Sequence, residues 1–242
     1  MDLFNSWLVS TPIAHRGLFD KTHPENSLSA FDEAIKAGYP IAFEVRMISD
    51  GTIVVFGDEC LSRMTSNDGY LKFLKKSDLE ILRLGGTKEK IPTFEEVLAF
   101  VDGRVPLLIE IKNDSKVGEL EKTVIEILKN YKGKYAVESS NPYVLEYFHN
   151  YAPEILRGQI SGYFKGIKMP FFKKLALKKM KFNEKFSHPD FISYEAEHLP
   201  NSYVKKFKTL PLIAYTVKSQ SDYLKVVKYC DNVVFENFEP MI

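Results

Sequence analysis

The sequence has little to staple it and no charge excess to steer it. Its two cysteines, Cys60 and Cys230, stand at no metal-ligand spacing. Two cysteines cannot build a disulfide framework, and each sits among apolar neighbours, as a small buried hydrophobe would. No run of 18 apolar residues occurs, the length a helix needs to cross a bilayer. The opening stretch MDLFNSWLVSTPIAHRG has no basic start followed by an apolar run, so no secretory signal and a cytoplasmic location are expected. Neither sign of charge dominates, with 33 Lys and Arg against 32 Asp and Glu. A near-neutral chain has no global field to gather nucleic acid, and any charged partner must be met locally. Internal repeats, Gly/Ser linkers and low-complexity tracts are also absent. A chain of 242 residues is long enough for a full core, and one domain over 1–242 is expected.

What the chain does have is alternation. Short β-rich apolar runs at 13–15, 41–45, 107–112, 135–138, 156–160, 191–194, 212–217 and 232–236 are separated by segments with helical spacing. Leu28, Phe31 and Ile35 form one such face, Val117, Leu120, Val124 and Leu128 another, and Tyr223, Val226, Val227 and Cys230 a third. Strands alternating with helices imply parallel pairing through crossover connections. Eight strands of this kind predict an α/β fold, a TIM-type (β/α)8 barrel with its active site at the C-terminal strand ends. One segment breaks the pattern. After the second strand, Asp50-Gly51 is a hairpin signal, so 52–56 should return antiparallel and about 46–92 should form a small insertion. A helix over 93–101, with Phe94, Val97, Leu98 and Val101 on one face, then resumes the barrel.

Polar residues fall where the barrel strands end. His15 and Arg16 close the first, Glu44 and Arg46 the second, Glu110 and Lys112 the third. Carboxylates on neighbouring strand ends can share a hard cation such as Ca²⁺ or Mg²⁺, and Arg and Lys can hold a phosphate. Equally, these acids and bases can simply neutralise one another in the barrel mouth. His15 alone carries little weight, since a histidine at a strand end is commonly a satisfied structural residue. Glu25 and Asn26, just before the helix that starts near Ser27, read as caps and loop anchors.

The order of the short motifs adds to this. IAHRG, HPENSLSAF, VVFGDECLSRMT, KIPTFEEVL, LLIEIK, IAYTV and CDNVVFENFEP occur in that succession over roughly residues 12–240, and the set resembles the glycerophosphodiester phosphodiesterase family. That resemblance implies a TIM barrel with an insertion after strand two. It also implies a divalent cation and hydrolysis of glycerophosphodiesters to glycerol 3-phosphate and an alcohol. Carried over residue by residue, it makes His15 a catalytic acid/base, Arg16 and Lys112 phosphate-binding groups, and Glu44 and Glu110 metal ligands. Two family positions are unmatched. The second catalytic histidine falls on Gly57. Counting back six residues from the turn aspartate Asp50 sets Glu44 as the second member of the strand-two carboxylate pair and leaves Ala42 as the first. The other register, Glu44-Val45-Arg46, also lacks one carboxylate. A lost acid/base removes on the order of 10² to 10⁴ in rate, and a lost carboxylate weakens the cation, unless Asp58, Glu59 or His23 substitutes. Three readings follow: a phosphodiesterase with impaired activity and a weakly held cation, a pseudoenzyme that binds a phosphodiester or phosphorylated ligand uncleaved, or a peripheral membrane module on a barrel scaffold.

The last reading comes from 165–185. Lys165, Lys168, Lys173, Lys174, Lys178, Lys179, Lys181 and Lys185 alternate there with Phe171, Phe172, Leu175, Leu177, Met180 and Phe182. On one continuous helix Lys174, Lys178, Lys181 and Lys185 would share a face opposite Phe172, Leu175, Ala176 and Met180. Such a helix can lie on an anionic membrane or, more plainly, cover the barrel with its lysines in solvent.

Overall fold

The computed structural model describes residues 2–113, 116–166, 169–181 and 183–241. In chain order the elements are helix α1 (Trp7–Ser10), strand β1 (Ile13–His15), α2 (Leu28–Lys36), β2 (Ile41–Met47), β3 (Ile53–Val55), α3 (Phe94–Val101), β4 (Leu107–Ile111), α4 (Glu119–Leu128), β5 (Tyr135–Ser139), α5 (Pro142–Tyr151), β6 (Arg157–Ser161), α6 (Phe171–Lys178), β7 (Phe191–Glu195), β8 (Leu212–Val217), α7 (Gln220–Val226) and β9 (Asn232–Phe235). The strands other than β3 are parallel and make the fold a (β/α)8 barrel, as their alternation implied. Only short helical turns, Ala196–His198 and Val204–Lys206, join β7 to β8. The chain divides into two compact units, 14–135 and 1–13 with 136–242.

In the unit formed by 14–135, β2 lies between β1 and β4, with Ala42 opposite both His15 and Leu108, and Glu44 opposite Glu110. Successive side chains alternate between faces. Phe43 therefore leaves the face of Ala42, Glu44 and Arg46 and packs its ring 5.6 Å from Phe31 of α2 and 6.2 Å from Phe94 of α3. Such ring pairs add about 0.5–1.5 kcal/mol each to the area they bury. Side-chain caps fix where these helices start: the Ser27 hydroxyl accepts from the Ala30 amide, and Thr93 and Glu96 form a reciprocal capping box. β3 returns antiparallel to β2, with Val45 opposite Val55. The insertion carries its own small core of Ile48, Val54, Phe56, Leu61, Leu71, Leu79, Leu82, Leu84 and Ile91, so its loops are packed in place. Cys60 departs from expectation: it is exposed in this insertion, on an isolated bridge to Tyr70. Cys230 is half-buried, and both thiols are unpaired with each other.

In the second unit, Asn232 at the start of β9 donates to the carbonyls of Leu8 and Thr11 at 2.7 and 2.8 Å, tying down the N-terminal helix. The buried Arg157 donates to the carbonyls of Pro153, Ile155 and His188. α6 stops at Lys178, because Met180 takes a left-handed backbone (φ 55°) and turns its side chain into the core. The four lysines expected on one face are therefore not on one helix. Phe171 and Phe172, at 79% and 75% exposure, stand in solvent while Leu177 is buried. Lys168 and Phe182 lie outside the described residues. No helix among the described residues is long and apolar enough to cross a membrane.

Candidate active site

The expected site residues converge in the 14–135 unit, and they converge as ion pairs. Glu44 is buried on β2. Arg16, just past β1, takes a left-handed backbone (φ 61°) that swings its guanidinium back over that carboxylate. Arg16 Nε donates to Glu44 Oε1 and Oε2 at 2.8 and 3.1 Å, Nη2 pairs with Oε1, and Nη1 donates to Glu25 Oε1 at 2.5 Å. Each nitrogen of the guanidinium is thus engaged by a carboxylate. Asn26, also left-handed (φ 60°), donates from Nδ2 to Glu44 Oε2 at 2.9 Å. His15 Nε2 stands 3.8 Å from Glu44 Oε1. On β4, Lys112 Nζ pairs with Glu110 Oε1 at 3.0 Å.

The electrostatics follow from this packing. Burial pushes the Glu44 carboxyl up, but the charges of Arg16, His15 and Lys112 and the hydrogen bonds from Arg16 outweigh it, so the group is held well below the usual carboxylate range. Burial likewise opposes the Lys112 charge, and Glu110 with Glu44 overcomes it, leaving that ammonium above its ordinary value. Arg16 is raised in the same way by Glu44 and Glu25 against its own burial.

Gly57, at the end of the β3 hairpin, is where this arrangement becomes specific. A β-carbon at 57 would lie 2.9 Å from both Arg16 Nη2 and Glu44 Oε1 and 3.2 Å from Arg16 Cζ. The space of a side chain at 57 is thus filled by the Arg16–Glu44 pair. The Gly57 carbonyl in turn accepts from Arg46 Nε and Nη2 at 3.2 and 3.1 Å. None of the three residues considered as substitutes is aimed at Glu44. Asp58 accepts from Arg63 Nε at 2.5 Å, the His23 ring and amide are held by Asp20, and Glu59 is exposed. Glu25 and Asn26 are anchors, as expected, but not caps, because Ser27 performs that role. Arg63 was not singled out in the sequence. Its guanidinium clamps both Glu25 oxygens, at 2.9 and 2.6 Å, and so holds the acid that holds Arg16. Its only sequence signal was its place inside the GDECLSRMT motif.

Similarity to known proteins agrees with the motif order. The model of the glycerophosphoryl diester phosphodiesterase family matches residues 15–234. The chain belongs to that family. A glycerophosphodiester phosphodiesterase of Caldanaerobacter subterraneus is 28% identical to it over 243 residues, with 95% of each chain covered. A Bacillus subtilis enzyme of that name is 25% identical over 250 residues, covering 93% of this chain and 83% of its own. Among solved structures, an Oleispira antarctica phosphodiesterase in complex with the product sn-glycerol-3-phosphate superposes with a TM-score of 0.80 at 23% identity, covering 95% and 93% of the two chains.

Membership of the glycerophosphodiester phosphodiesterase family implies a divalent cation, and the donor set at hand does not fit one. Among the described residues no group of three or more His, Cys, Asp and Glu side chains could hold a metal ion. Both Glu44 oxygens accept from Arg16, with Asn26 added on Oε2, and Glu110 carries Lys112. Ca²⁺ looks for six to eight oxygens and Mg²⁺ for a near-octahedral six. Ala42, beside His15 in register, contributes none.

Proposed function

We propose that this chain is a member of the family in which the strand ends bind a glycerophosphodiester or its glycerol phosphate portion with metal-dependent hydrolysis lost or greatly slowed. The observation that carries the reading is the Arg16–Glu44 pair lying in the space of a side chain at 57. An acid carboxylate, an acid/base and a cation position are replaced there by one internal ion pair. Lys112 holds the anion in this reading, with Arg46 beside it. Arg16 and Glu44 act as a fixed dipole beneath the ligand, Glu110 orients Lys112, and His15 faces the same point as hydrogen-bond partner to the bound phosphate.

The test is calorimetry with sn-glycerol 3-phosphate in the presence of a chelator, alongside a hydrolysis assay with glycerophosphocholine and added Mg²⁺ or Ca²⁺. Binding without divalent ion is expected, weakened about tenfold or more by Lys112→Met, as loss of a charge-assisted contact implies. Binding that appears only with added divalent ion, or brisk turnover by the wild type, would overturn the reading.

A second contact is supported by α6. Phe171 and Phe172 project into solvent beside Lys173 and Lys174. Aromatic rings among lysines at the end of a short helix suit the boundary of an anionic bilayer. Co-sedimentation with phosphatidylserine-containing vesicles is expected to weaken with salt and to be lost in Phe171→Ser/Phe172→Ser. Failure of the wild type to sediment with such vesicles dismisses this contact.

A further inference from the structure

At the N-terminal ends of β6 and β7, within the unit formed by 1–13 and 136–242, two imidazoles meet. The ring of His149, near the end of α5, stacks on that of His188, with centroids 4.3 Å apart and planes 24° from parallel. His188 follows the helical turn Asn183–Ser187 and leads into β7, on a left-handed backbone (φ 38°). Phe186, on the same turn, meets Tyr143 of α5 edge to face at 5.2 Å. These two ring contacts fasten the turn to the helix.

The stack is built around a permanent cation. The buried Arg157 at the start of β6 places Nη2 3.4 Å from His149 Nδ1, and its Nε donates to the His188 carbonyl at 3.1 Å. A guanidinium can only donate. His149 Nδ1 must therefore offer its lone pair, and a proton there would set two donors against each other. Asp190, just ahead of β7, is drawn to Arg157, accepting from its amide at 2.9 Å with Nη1 3.7 Å away. Glu146 stands one turn back on α5, and Lys185 Nζ rests over the Phe186 ring at 5.2 Å. Partial burial, the His188 ring and the Arg157 charge hold the His149 imidazole below its ordinary value of 6.5, and Asp190 and Glu146 oppose them without overcoming them.

We propose that the segment 183–188 is an acid-released strap, docked on α5 while the His149 ring is neutral and let go when that ring takes a proton. The docked state binds fewer protons than the released one. Docking is therefore complete above about pH 6.5, the free histidine value, and weakens as pH falls below it. The strap joins α6 to β7, so its release slackens that connection.

Hydrogen exchange read by mass spectrometry on the peptide 183–190 tests this, each rate corrected for the intrinsic effect of pH. Protection should fall about threefold or more between pH 7.5 and 5.0, the range in which histidines change charge. His149→Gln keeps an acceptor for Arg157 and His149→Phe keeps a ring on His188. Neither titrates, so both should hold the protection constant, while His23→Gln, on the loop after β1, should respond as the wild type does. Followed by NMR, the His149 ring should titrate below a free histidine and the loss of protection should track it. Equal protection of the wild-type peptide at the two pH values, or the same loss in both His149 variants, overturns the proposal. So does a loss shared equally by peptides throughout the chain, which would be global unfolding.

Discussion

Replacing Gly57 by His together with Ala42 by Glu should give divalent-dependent hydrolysis of glycerophosphocholine at about 10² to 10⁴ times the wild-type rate, the span that one acid/base group commands. The backbone permits the change at 57, since Gly57 is not among the residues with positive φ. The obstacle is space. A β-carbon there meets Arg16 Nη2 and Glu44 Oε1 at 2.9 Å, so Gly57→His alone must push the guanidinium off its carboxylate. That single variant should be less stable than wild type by about 1–3 kcal/mol, as overpacking usually is, and should gain little activity. Ala42→Glu alone places a second buried carboxylate near Glu44 and His15, drawing Arg16 from its present partner without supplying an acid/base. In the double variant each change relieves the strain of the other, because the new acid gives Arg16 somewhere to go as the imidazole enters. The two effects should therefore be far from additive. Rates would be followed by glycerol 3-phosphate release with and without chelator, and folding by thermal melts of all four proteins. A folded double variant no faster than wild type would show that position 57 is not where proton transfer was lost.

Much of this was legible before any coordinates. The period of two along 41–47 puts Ala42, Glu44 and Arg46 on one face, and the Asp50-Gly51 turn fixes where the hairpin returns, so the positions of the missing groups could be counted. The possibility that acids and bases of the mouth neutralise one another was also open from the sequence, and the Arg16–Glu44 and Lys112–Glu110 pairs take that form. Periodicity cannot say which acid an arginine selects. Arg16 reaches Glu44 because its own backbone turns left-handed and because Arg63, from a loop 38 residues beyond Glu25, fixes the second acid. Neither cause has a repeat to read. The basic segment differs for a related reason: a helical wheel assumes the helix continues, and the left-handed Met180 ends it, so Lys181 and Lys185 do not extend the face of Lys174 and Lys178.

Substituting Glu44 by Leu should destabilise the protein by about 3–5 kcal/mol, the usual consequence of removing one partner of a buried ion pair and leaving the other charge uncompensated. Arg16 would keep only Glu25, and Asn26 would lose the acceptor of its Nδ2 while its Oδ1 is already buried without a partner. Arg16→Met in the same chain should restore most of the loss, since two apolar groups of similar volume leave no stranded charge. The pair also sets an acid limb. Burial raises the Glu44 carboxyl and Arg16 with its neighbours lowers it further, to about 2 in the folded state, against about 4.3 unfolded. A carboxylate with a depressed folded value binds fewer protons folded than unfolded in this window, so its contribution is complete above about pH 4.3 and is lost as pH falls toward 2. Urea midpoints between pH 5 and 2 should therefore fall more steeply for the wild type than for Arg16→Met/Glu44→Leu. Parallel pH profiles for the two proteins would mean that the Arg16–Glu44 contact does not hold the carboxylate ionised, and the case that this pair has replaced a metal ligand would lose its physical basis.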